Sequence, residues 1–259
     1  MEIIIRPDAG AAVELVSRLL AMRIGNKPAC VLGLATGRTM EQLYEQLSQQ
    51  AISWQRCHTF NLDEYIGLTP DDPQSYRHYM QQHLFSRTDI DLHNTHVPDG
   101  NADDLKQAAI EYEQAIQAAG GIDVQLLGIG EAGHIGFNEP LSAIMSRTRD
   151  KCLTPTTRRQ NAAMFGGDVE RVPGRALTMG VGTILDAGEI ILLATGRSKA
   201  SIIAQAVEGP ITSMVSASAL QLHPNCKVIV DDDAASALQG REYYDFVFHN
   251  EPEWAEFRD

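Results

Sequence analysis

The sequence predicts one α/β domain with a doubly wound, mostly parallel sheet and helices on both of its faces. Short apolar segments of strand length alternate with helical segments along the 259 residues. Strands separated by helices form parallel sheets, which are covered on both faces. A chain of this length can bury one large core and is rather short for two full domains. We therefore predict a single domain over residues 1–259 with a Rossmann-like layout.

The predicted elements follow in a regular order. Asp8 can cap a helix that runs to about Ile24, whose apolar residues lie on one side. Four further helices are predicted over residues 40–47, 74–85, 102–119 and 198–207. Five strands are predicted over residues 30–34, 58–61, 122–127, 190–195 and 227–230.

The charge of the chain restricts its partners and its location. The net charge of −13 argues against nucleic acid and against an anionic membrane surface as partners. No segment approaches the roughly 20 apolar residues that cross a bilayer, and the apolar segment 1–5 is too short for a signal peptide. We therefore predict a cytoplasmic protein, in which an anionic small molecule would need a locally positive pocket.

The cysteines predict neither a zinc site nor a disulfide framework, because they are widely spaced and form no C-x-x-C pair. They are Cys30, Cys57, Cys152 and Cys226. Buried or idle thiols in a reducing compartment are the simplest interpretation. We predict no metal site.

Four polar or glycine-rich clusters each follow a predicted strand. They cover residues 35–39, 61–65, 128–140 and 196–199. In an open parallel sheet, the carboxyl ends of neighbouring strands meet at one crevice. The fold class therefore predicts that these distant segments lie together around one ligand.

Two of the clusters have the chemistry of an anion site. Thr36, Gly37 and Thr39 stand where a strand passes into a helix, and the free amides of a helix N-terminus attract anions. Arg38 could add a charged fork, and Lys199 supplies a compact charge at another helix start. An ordinary turn and an exposed lysine are the alternatives. The first cluster matches neither a Walker loop nor a dinucleotide-binding motif.

The other two clusters carry groups that can move protons. Asp63 and Glu64 directly follow a strand, where a partly buried carboxylate can act as a general base. His134 and Glu139 share a glycine-rich loop, and a carboxylate beside an imidazole fixes its tautomer and raises its basicity. A helix cap for the acidic pair and a structural histidine remain the alternatives.

Arginine is concentrated in one segment of this acidic chain. The residues are Arg147, Arg149, Arg158, Arg159, Arg171 and Arg175. Such clustering suggests an anion site or a mobile flap, and a solvated face explains it equally well. We predict a mobile lid around residues 147–175.

Six motifs together resemble those of the glucosamine-6-phosphate deaminase/isomerase family. They are TFNLDEY at 59–65, GIGEAGHIGFNEP at 128–140, SRTR at 146–149, LTMGVGT at 177–183, AVEG at 206–209 and LQLHP at 220–224. The motifs occur in that family's order and span nearly the whole chain. The combination is far more specific than any single cluster.

The resemblance implies a reaction and a role for each residue. His134 would open the pyranose ring with support from Glu139, and Asp63 would move a proton between C2 and C1. The open sugar would then lose ammonia from C2 and give fructose 6-phosphate. Thr36, Gly37, Thr39 and Lys199 match the positions that hold the phosphate. No metal or organic cofactor is implied, and we place the enzyme among the hydrolases, isomerases and deaminases.

Three departures from the family pattern concern the site. Ala132 replaces the usual Asp or Asn before the Gly-His pair, which puts the positioning of His134 and the sugar preference in doubt. The first loop reads Thr-Gly-Arg-Thr-Met in place of the usual Thr-Gly-Gly/Ser-Thr-Pro. An arginine that binds phosphate in some members falls on Ala163, and our hypothesis is that Arg38 replaces its charge.

The resemblance also bears on regulation and assembly. Some members of the family are hexamers that an N-acetylated sugar phosphate activates at subunit interfaces. Ser142, Arg149 and Lys151 match parts of that effector site, whereas Ala143 and Cys152 do not. We therefore expect a homo-oligomer with a possible effector site.

Other readings of the sequence remain open at this stage. The first is a galactosamine-6-phosphate deaminase/isomerase, which shares the architecture and the His-x-Gly-x-Asn-Glu loop. The second is a 6-phosphogluconolactonase, which the Asp63–Glu64 pair and residues 137–139 disfavour. The third is a sugar-phosphate sensor without catalysis. The sequence shows no additional DNA-binding segment, and its acidic charge also argues against one.

Overall fold

The computed structural model describes residues 1–258, which contain ten β-strands. They are β1 (Glu2–Arg6), β2 (Val31–Leu34), β3 (His58–Asn61), β4 (Asp63–Tyr65), β5 (Thr95–His96), β6 (Val124–Leu127), β7 (Arg149–Cys152), β8 (Arg175–Thr178), β9 (Glu189–Ala194) and β10 (Cys226–Asp231). Seven of them form one sheet in the order β1-β10-β9-β6-β2-β3-β5. Every pair in this sheet is parallel, as the sequence predicts.

Eight α-helices alternate with the strands. They are α1 (Ala9–Asn26), α2 (Arg38–Ser48), α3 (Tyr76–His83), α4 (Leu105–Ala118), α5 (Pro155–Asn161), α6 (Val181–Leu185), α7 (Ala200–Val207) and α8 (Arg241–Asn250). The first begins where the sequence predicts, because the Asp8 carboxylate accepts the amide of Ala11 at 2.8 Å. Helices on both faces complete the predicted α/β architecture, and no helix within residues 1–258 is long and apolar enough to cross a membrane.

The centre of the sheet is closed to water on both faces. Every residue of β9 and β10 is buried, which is typical of central parallel strands. Their polar side chains at one end of the sheet are paired: Glu189 contacts Lys227 at 3.1 Å and Arg23 at 2.6 Å. This ion-pair group lies at the amino ends of β9 and β10.

A second sheet of three antiparallel strands has the order β4-β8-β7. It is not predicted from the sequence, because its strands have only three or four residues and β7 is only partly buried. Only Leu62 separates the end of β3 from the start of β4, so the chain passes directly from the large sheet into the small one. Asp63, the first residue of β4, is paired in register with Thr178 of β8.

A satellite core supports the small sheet. It is built around the rings of Tyr65, Tyr76, Phe137 and Phe165. The Tyr65 ring lies 5.0 Å from Tyr76, 5.4 Å from Phe137 and 5.5 Å from Phe165, between ring centroids. These four residues are called the aromatic cluster below. The cluster connects β4 with α3, with the loop after β6 and with the segment after α5.

The first strand is a further difference from the sequence prediction. The apolar run at the start of the chain forms β1, which pairs with β10 at the edge of the large sheet. The predicted helix and strand bounds agree with the structure elsewhere to within three residues at each end.

Candidate active site

One cavity of about 550 Å³ lies at the carboxyl ends of the parallel strands. Its lining brings together residues from all four clusters that follow predicted strands. The sequence-predicted site residues in it are Thr36, Gly37, Arg38, Thr39, Asp63, His134 and Lys199. The convergence that the fold class predicts is therefore present.

One end of the cavity is suited to an anion. The helix α2 begins at Arg38, and its N-cap Gly37 has a φ of 119°, a conformation that glycine adopts readily. The amides of Met40 and Glu41 bond back to Gly37, which leaves those of Arg38 and Thr39 at the free N-terminus of the helix. An oxyanion at this position would meet two amides and the positive end of the helix dipole.

Lys199 completes this cationic end. Its Nζ donates to the carbonyl of Ile129 at 2.8 Å, which holds the ammonium at the cavity wall. Burial lowers its pKa; the nearby Glu131 carboxylate opposes that shift and the Arg38 guanidinium adds to it. Since the charges of Arg38 and Lys199 influence each other across the cavity, an anion between them would be bound by both.

Asp63 lines the same cavity and is only 6% exposed. Burial, and after it the neighbouring Glu64 carboxylate, raise its pKa to about 8. Hydrogen bonding by the Phe137 amide and the Thr178 hydroxyl lowers the pKa and thus limits the shift. A carboxyl group with a pKa near neutrality can both take up and release a proton.

Glu64 does not share this role, although it is adjacent in sequence. Its side chain accepts the amides of Tyr65, Tyr76 and Arg77 at 2.8 to 3.0 Å and thereby caps the start of α3. Burial raises its pKa to about 7 against the effect of these bonds. The acidic pair is thus divided between a cavity acid and a helix cap, because successive residues of β4 point to opposite faces.

His134 lines the cavity, and Glu139 supports it from outside the cavity. The Nδ1 atom of His134 lies 3.5 Å from Oε2 of Glu139, and Oε1 of Glu139 accepts the Thr154 amide at 2.9 Å. Burial alone would raise the pKa of Glu139, but hydrogen bonds from His134, the Thr157 hydroxyl and the Thr154 amide lower it to about 2. An ionised Glu139 favours a proton on the facing nitrogen of the imidazole.

Gly130 fixes the other side of the imidazole. A Cβ atom at this position would lie 2.0 Å from Nε2 of His134, so only glycine leaves room for the ring. The amide of Gly130 also donates to the His134 carbonyl at 2.9 Å. The glycine-rich loop therefore folds back on itself around the histidine.

The predicted effector residues lie outside the cavity lining. Arg149 and Lys151 are two residues apart on β7, and Arg149 donates to Oδ1 of Asn138 at 2.8 Å. Ser142 is buried in the loop that follows Glu139. Within the described chain, none of the six clustered arginines lines the cavity. Arg147 and Arg175 instead form ion pairs with Asp186 and Asp150.

Several lining residues outside the four clusters were not identified from the sequence. They include Glu41, Tyr76, Gln160, Asn161 and Met164. Glu131 also lines the cavity and lies within the cluster 128–140. Gln160, Asn161 and Met164 belong to the end of α5 and the turn after it, inside the predicted lid. No group of three or more His, Cys, Asp or Glu residues within 1–258 could hold a metal ion.

The fold and the site define an α/β protein with a cavity that has a cationic end, a buried acid and a supported imidazole. Residues 8–228 match the family described as glucosamine-6-phosphate isomerases/6-phosphogluconolactonase, and the chain belongs to this family.

Several relatives cover nearly the whole chain. A glucosamine-6-phosphate deaminase of Streptomyces avermitilis is 46% identical over 98% of this chain and 99% of its own length. One of Shewanella woodyi is 49% identical over 95% of both chains. A solved structure of a monomeric glucosamine-6-phosphate deaminase is 42% identical, with a TM-score of 0.89, over 92% of this chain and all of the other.

A 6-phosphogluconolactonase from Thermotoga maritima has a TM-score of 0.70 over 89% of this chain and 99% of its own, but only 20% identity. That similarity concerns the fold alone. The placement of the protein among the hydrolases is wrong, because the relatives of high identity are named deaminases.

Proposed function

We propose that the protein is a glucosamine-6-phosphate deaminase, which converts glucosamine 6-phosphate to fructose 6-phosphate and ammonia. The observation that carries the proposal is the single cavity that holds a cationic end together with Asp63 and His134. A hexose phosphate has its phosphate at C6 and its reacting carbons at C1 and C2. The two ends of the cavity therefore correspond to the two ends of the substrate.

The phosphate binds at the start of α2. The free amides of Arg38 and Thr39 and the hydroxyls of Thr36 and Thr39 surround its oxygens, and Arg38 and Lys199 neutralise its charge. The energy of this binding fixes the position of the reacting carbons, which lowers the barrier to reaction at the other end.

His134 opens the sugar ring by transferring a proton between the C1 hydroxyl and the ring oxygen. The ionised Glu139 faces the Nδ1 atom and holds the imidazole in one orientation. Ala132, next to this pair in the loop, supplies no third polar group. Ring opening therefore depends on the His134–Glu139 pair and on the space that Gly130 leaves for the imidazole.

Asp63 then moves the proton that converts the aldose. Its carboxylate removes the proton from C2 of the open-chain sugar, and C1 receives a proton as the enol collapses. This leaves an iminium at C2, to which a water molecule adds; the C–N bond then breaks, ammonia leaves C2, and the ketose forms with the oxygen of that water. The raised pKa of Asp63 makes it a stronger base than an exposed carboxylate, and the reaction requires its ionised form.

An ammonia assay tests the proposal. Wild type is expected to release ammonia from glucosamine 6-phosphate, and Asp63→Asn is expected to abolish both ammonia release and C2–C1 proton exchange while binding of the sugar phosphate survives. Asp103→Asn, an exposed carboxylate outside the cavity, is the matched control.

Two results would contradict this scheme in different ways. Absence of ammonia release by wild type would end the proposed function. Retained proton exchange in Asp63→Asn would exclude Asp63 as the base. The assay includes galactosamine 6-phosphate, the C4 epimer, because Ala132 and Arg38 depart from the family pattern and make it the second candidate substrate.

We further propose that residues 1–259 form a single domain in which the segment 147–175 is a mobile lid. Residues 160–164 of this segment form one wall of the cavity, which supports that role. We also propose an effector site at Ser142, Arg149 and Lys151, a homo-oligomeric assembly and a cytoplasmic location. The four unpaired cysteines are consistent with a reducing compartment.

A further inference from the structure

One wall of the cavity comes from the end of α5 and the turn after it. The lining residues on this wall are Gln160, Asn161, Ala163 and Met164. Ala163 and Met164 offer only apolar surface, so Gln160 and Asn161 are the two polar side chains of this wall. Of the two amides, Gln160 is the one with a buried atom that lacks a hydrogen-bond partner.

The side-chain amide of Gln160 is incompletely paired. Its Nε2 atom is shielded from solvent and, among residues 1–258, has no hydrogen-bond partner. A buried donor without an acceptor destabilises the folded state, and such groups are rare in folded proteins. The residue as a whole is partly exposed and lines the cavity, so rotation of its side chain would let a ligand oxygen supply the missing acceptor.

The aromatic cluster fixes where this wall lies relative to the two ends of the cavity. Tyr76 lines the cavity together with Thr36 of the cationic end, and its ring stacks on Phe137 with centroids 6.0 Å apart. The amide of Phe137 donates to the Thr178 hydroxyl at 3.1 Å, and Thr178 is paired in register with Asp63. Since Phe165, in the turn after α5, packs on Tyr65 of the same cluster with centroids 5.5 Å apart, the α5 wall lies beside the part of the cavity between the cationic end and Asp63.

The substrate that the proposed function assigns to the cavity places particular groups along this path. With its phosphate at Arg38 and Lys199 and with C1 and C2 at Asp63, the hydroxyls on C3 to C5 occupy the middle. An amide offers a donor and an acceptor side by side, and a hydroxyl accepts and donates in turn. Gln160 therefore has the right chemistry for neighbouring sugar hydroxyls.

We propose that Gln160 binds the sugar hydroxyls between the reacting carbons and the phosphate, and that it contributes to the choice between C4 epimers. The inference rests on the proposed function, because that function sets the orientation of the sugar. A site that hydrogen-bonds a hydroxyl discriminates against a substrate in which that hydroxyl points elsewhere.

Binding measurements on Gln160→Leu test the proposal. Leucine is similar in length and removes both amide atoms. We expect affinity for the preferred epimer to fall about tenfold and the ratio of affinities between the two epimers to shrink at least about threefold. Affinity for inorganic phosphate is expected to change less than about twofold, because Gln160 does not bind the phosphate. The exposed Gln117→Leu on α4 is the matched control.

Titration calorimetry with glucosamine 6-phosphate, galactosamine 6-phosphate and inorganic phosphate gives these numbers. It is carried out in the Asp63→Asn background, which is expected to bind the sugars without converting them, and Gln160→Ala serves as a second variant. An unchanged epimer ratio in both variants would overturn the proposal, as would an equal loss for inorganic phosphate. The affinities do not depend on ammonia release. A wild type that binds the sugars without releasing ammonia would therefore refute the proposed function, while the binding data would still show whether Gln160 contacts the sugar hydroxyls.

Discussion

Asp63 is held in surroundings that favour its neutral form. Burial raises its pKa from the ordinary value of 3.8 to about 8, so the folded protein binds this proton more tightly than the unfolded chain. By linkage, the stabilising effect is fully present below the unfolded pKa and is lost as the pH rises through the folded pKa. At neutral pH Asp63 therefore stays largely protonated in the folded protein while the unfolded chain is ionised, and this difference reduces the stability of the fold.

Asp63→Asn removes this cost, because asparagine resembles the neutral acid in shape. We predict that it raises the free energy of unfolding by roughly 1–3 kcal/mol at about pH 8 and by less at about pH 5. Urea unfolding at both pH values measures the effect, with Asp103→Asn as the exposed control. A variant that is destabilised equally at both pH values would contradict the assignment of a raised pKa.

A substitution at Gly130 tests whether the position of the His134 imidazole matters for the reaction. In Gly130→Ala the new methyl group would lie 2.0 Å from Nε2 of His134, and the ring would have to turn away from its supported position. We predict a fall in kcat of about 10²-fold, because ring opening requires the imidazole in place, with a much smaller change in KM.

Gly128→Ala is the matched control for this substitution. Gly128 lies in the same loop and also lines the cavity, but a Cβ there would meet only the Met40 methyl group at 3.5 Å, an ordinary contact. The ammonia assay compares the two variants. Equal losses in both would indicate a general effect on the loop rather than displacement of His134.

At the level of single elements, the start of α2 combines a backbone site with a side-chain charge. We predict that Arg38→Ala raises KM at least about tenfold, since a charge-assisted contact to phosphate is lost while the helix amides remain. The value of kcat is expected to change less, because Asp63 and His134 are untouched. The exposed Arg56→Ala is the control, and an unchanged KM in Arg38→Ala would refute the assignment.

The long periodic elements and the meeting of their loops were predictable from the sequence. The strand β3 has the predicted bounds, and the four clusters line one cavity because parallel strands bring their carboxyl ends together. The small sheet was not predictable, since β4, β7 and β8 are held by pairing between distant segments rather than by a local pattern. The different roles of Asp63, which faces the cavity, and Glu64, which caps α3, depend on the same pairing.

Gln160 shows a further limit of sequence analysis. Gln160 belongs to no recognisable motif in the lid segment. It lines the cavity only because the end of α5 packs beside the aromatic cluster. Asn161, next to it, also lines the cavity, but only Gln160 has a buried amide atom without a hydrogen-bond partner. Which of two adjacent amides is left for a ligand is decided by tertiary contacts that no local pattern records.

At the level of the whole molecule, the charge is divided between the surface and the cavity. The chain carries a net charge of −13, but Arg38 and Lys199 face the same end of the cavity. The surface charge slows the approach of an anionic substrate, and the local cationic end compensates at short range. Added salt should therefore weaken both the repulsion of the substrate by the surface charge and its attraction by the cavity. The attraction is screened less, because Lys199 is partly buried.

The surface also carries apolar side chains that bear on assembly. Leu141 is 74% exposed, Met145 73% and Met214 53%. Leu141 and Met145 share one loop, and the Leu141 amide donates to the carbonyl of Ser213, next to Met214. Neighbouring exposed apolar residues of this kind are typical of surfaces that another chain covers.

We predict that the protein is a homo-oligomer at micromolar concentration and that this group of side chains lies in the contact. Sedimentation velocity of wild type measures the assembly, and Met145→Glu should shift it towards the monomer because a carboxylate would have to be buried. Tyr243→Glu, on α8 and 67% exposed, adds the same charge elsewhere and should leave the assembly unchanged. A wild type that sediments as a monomer would contradict the prediction, and the protein would then share the state of the monomeric deaminase whose fold it matches.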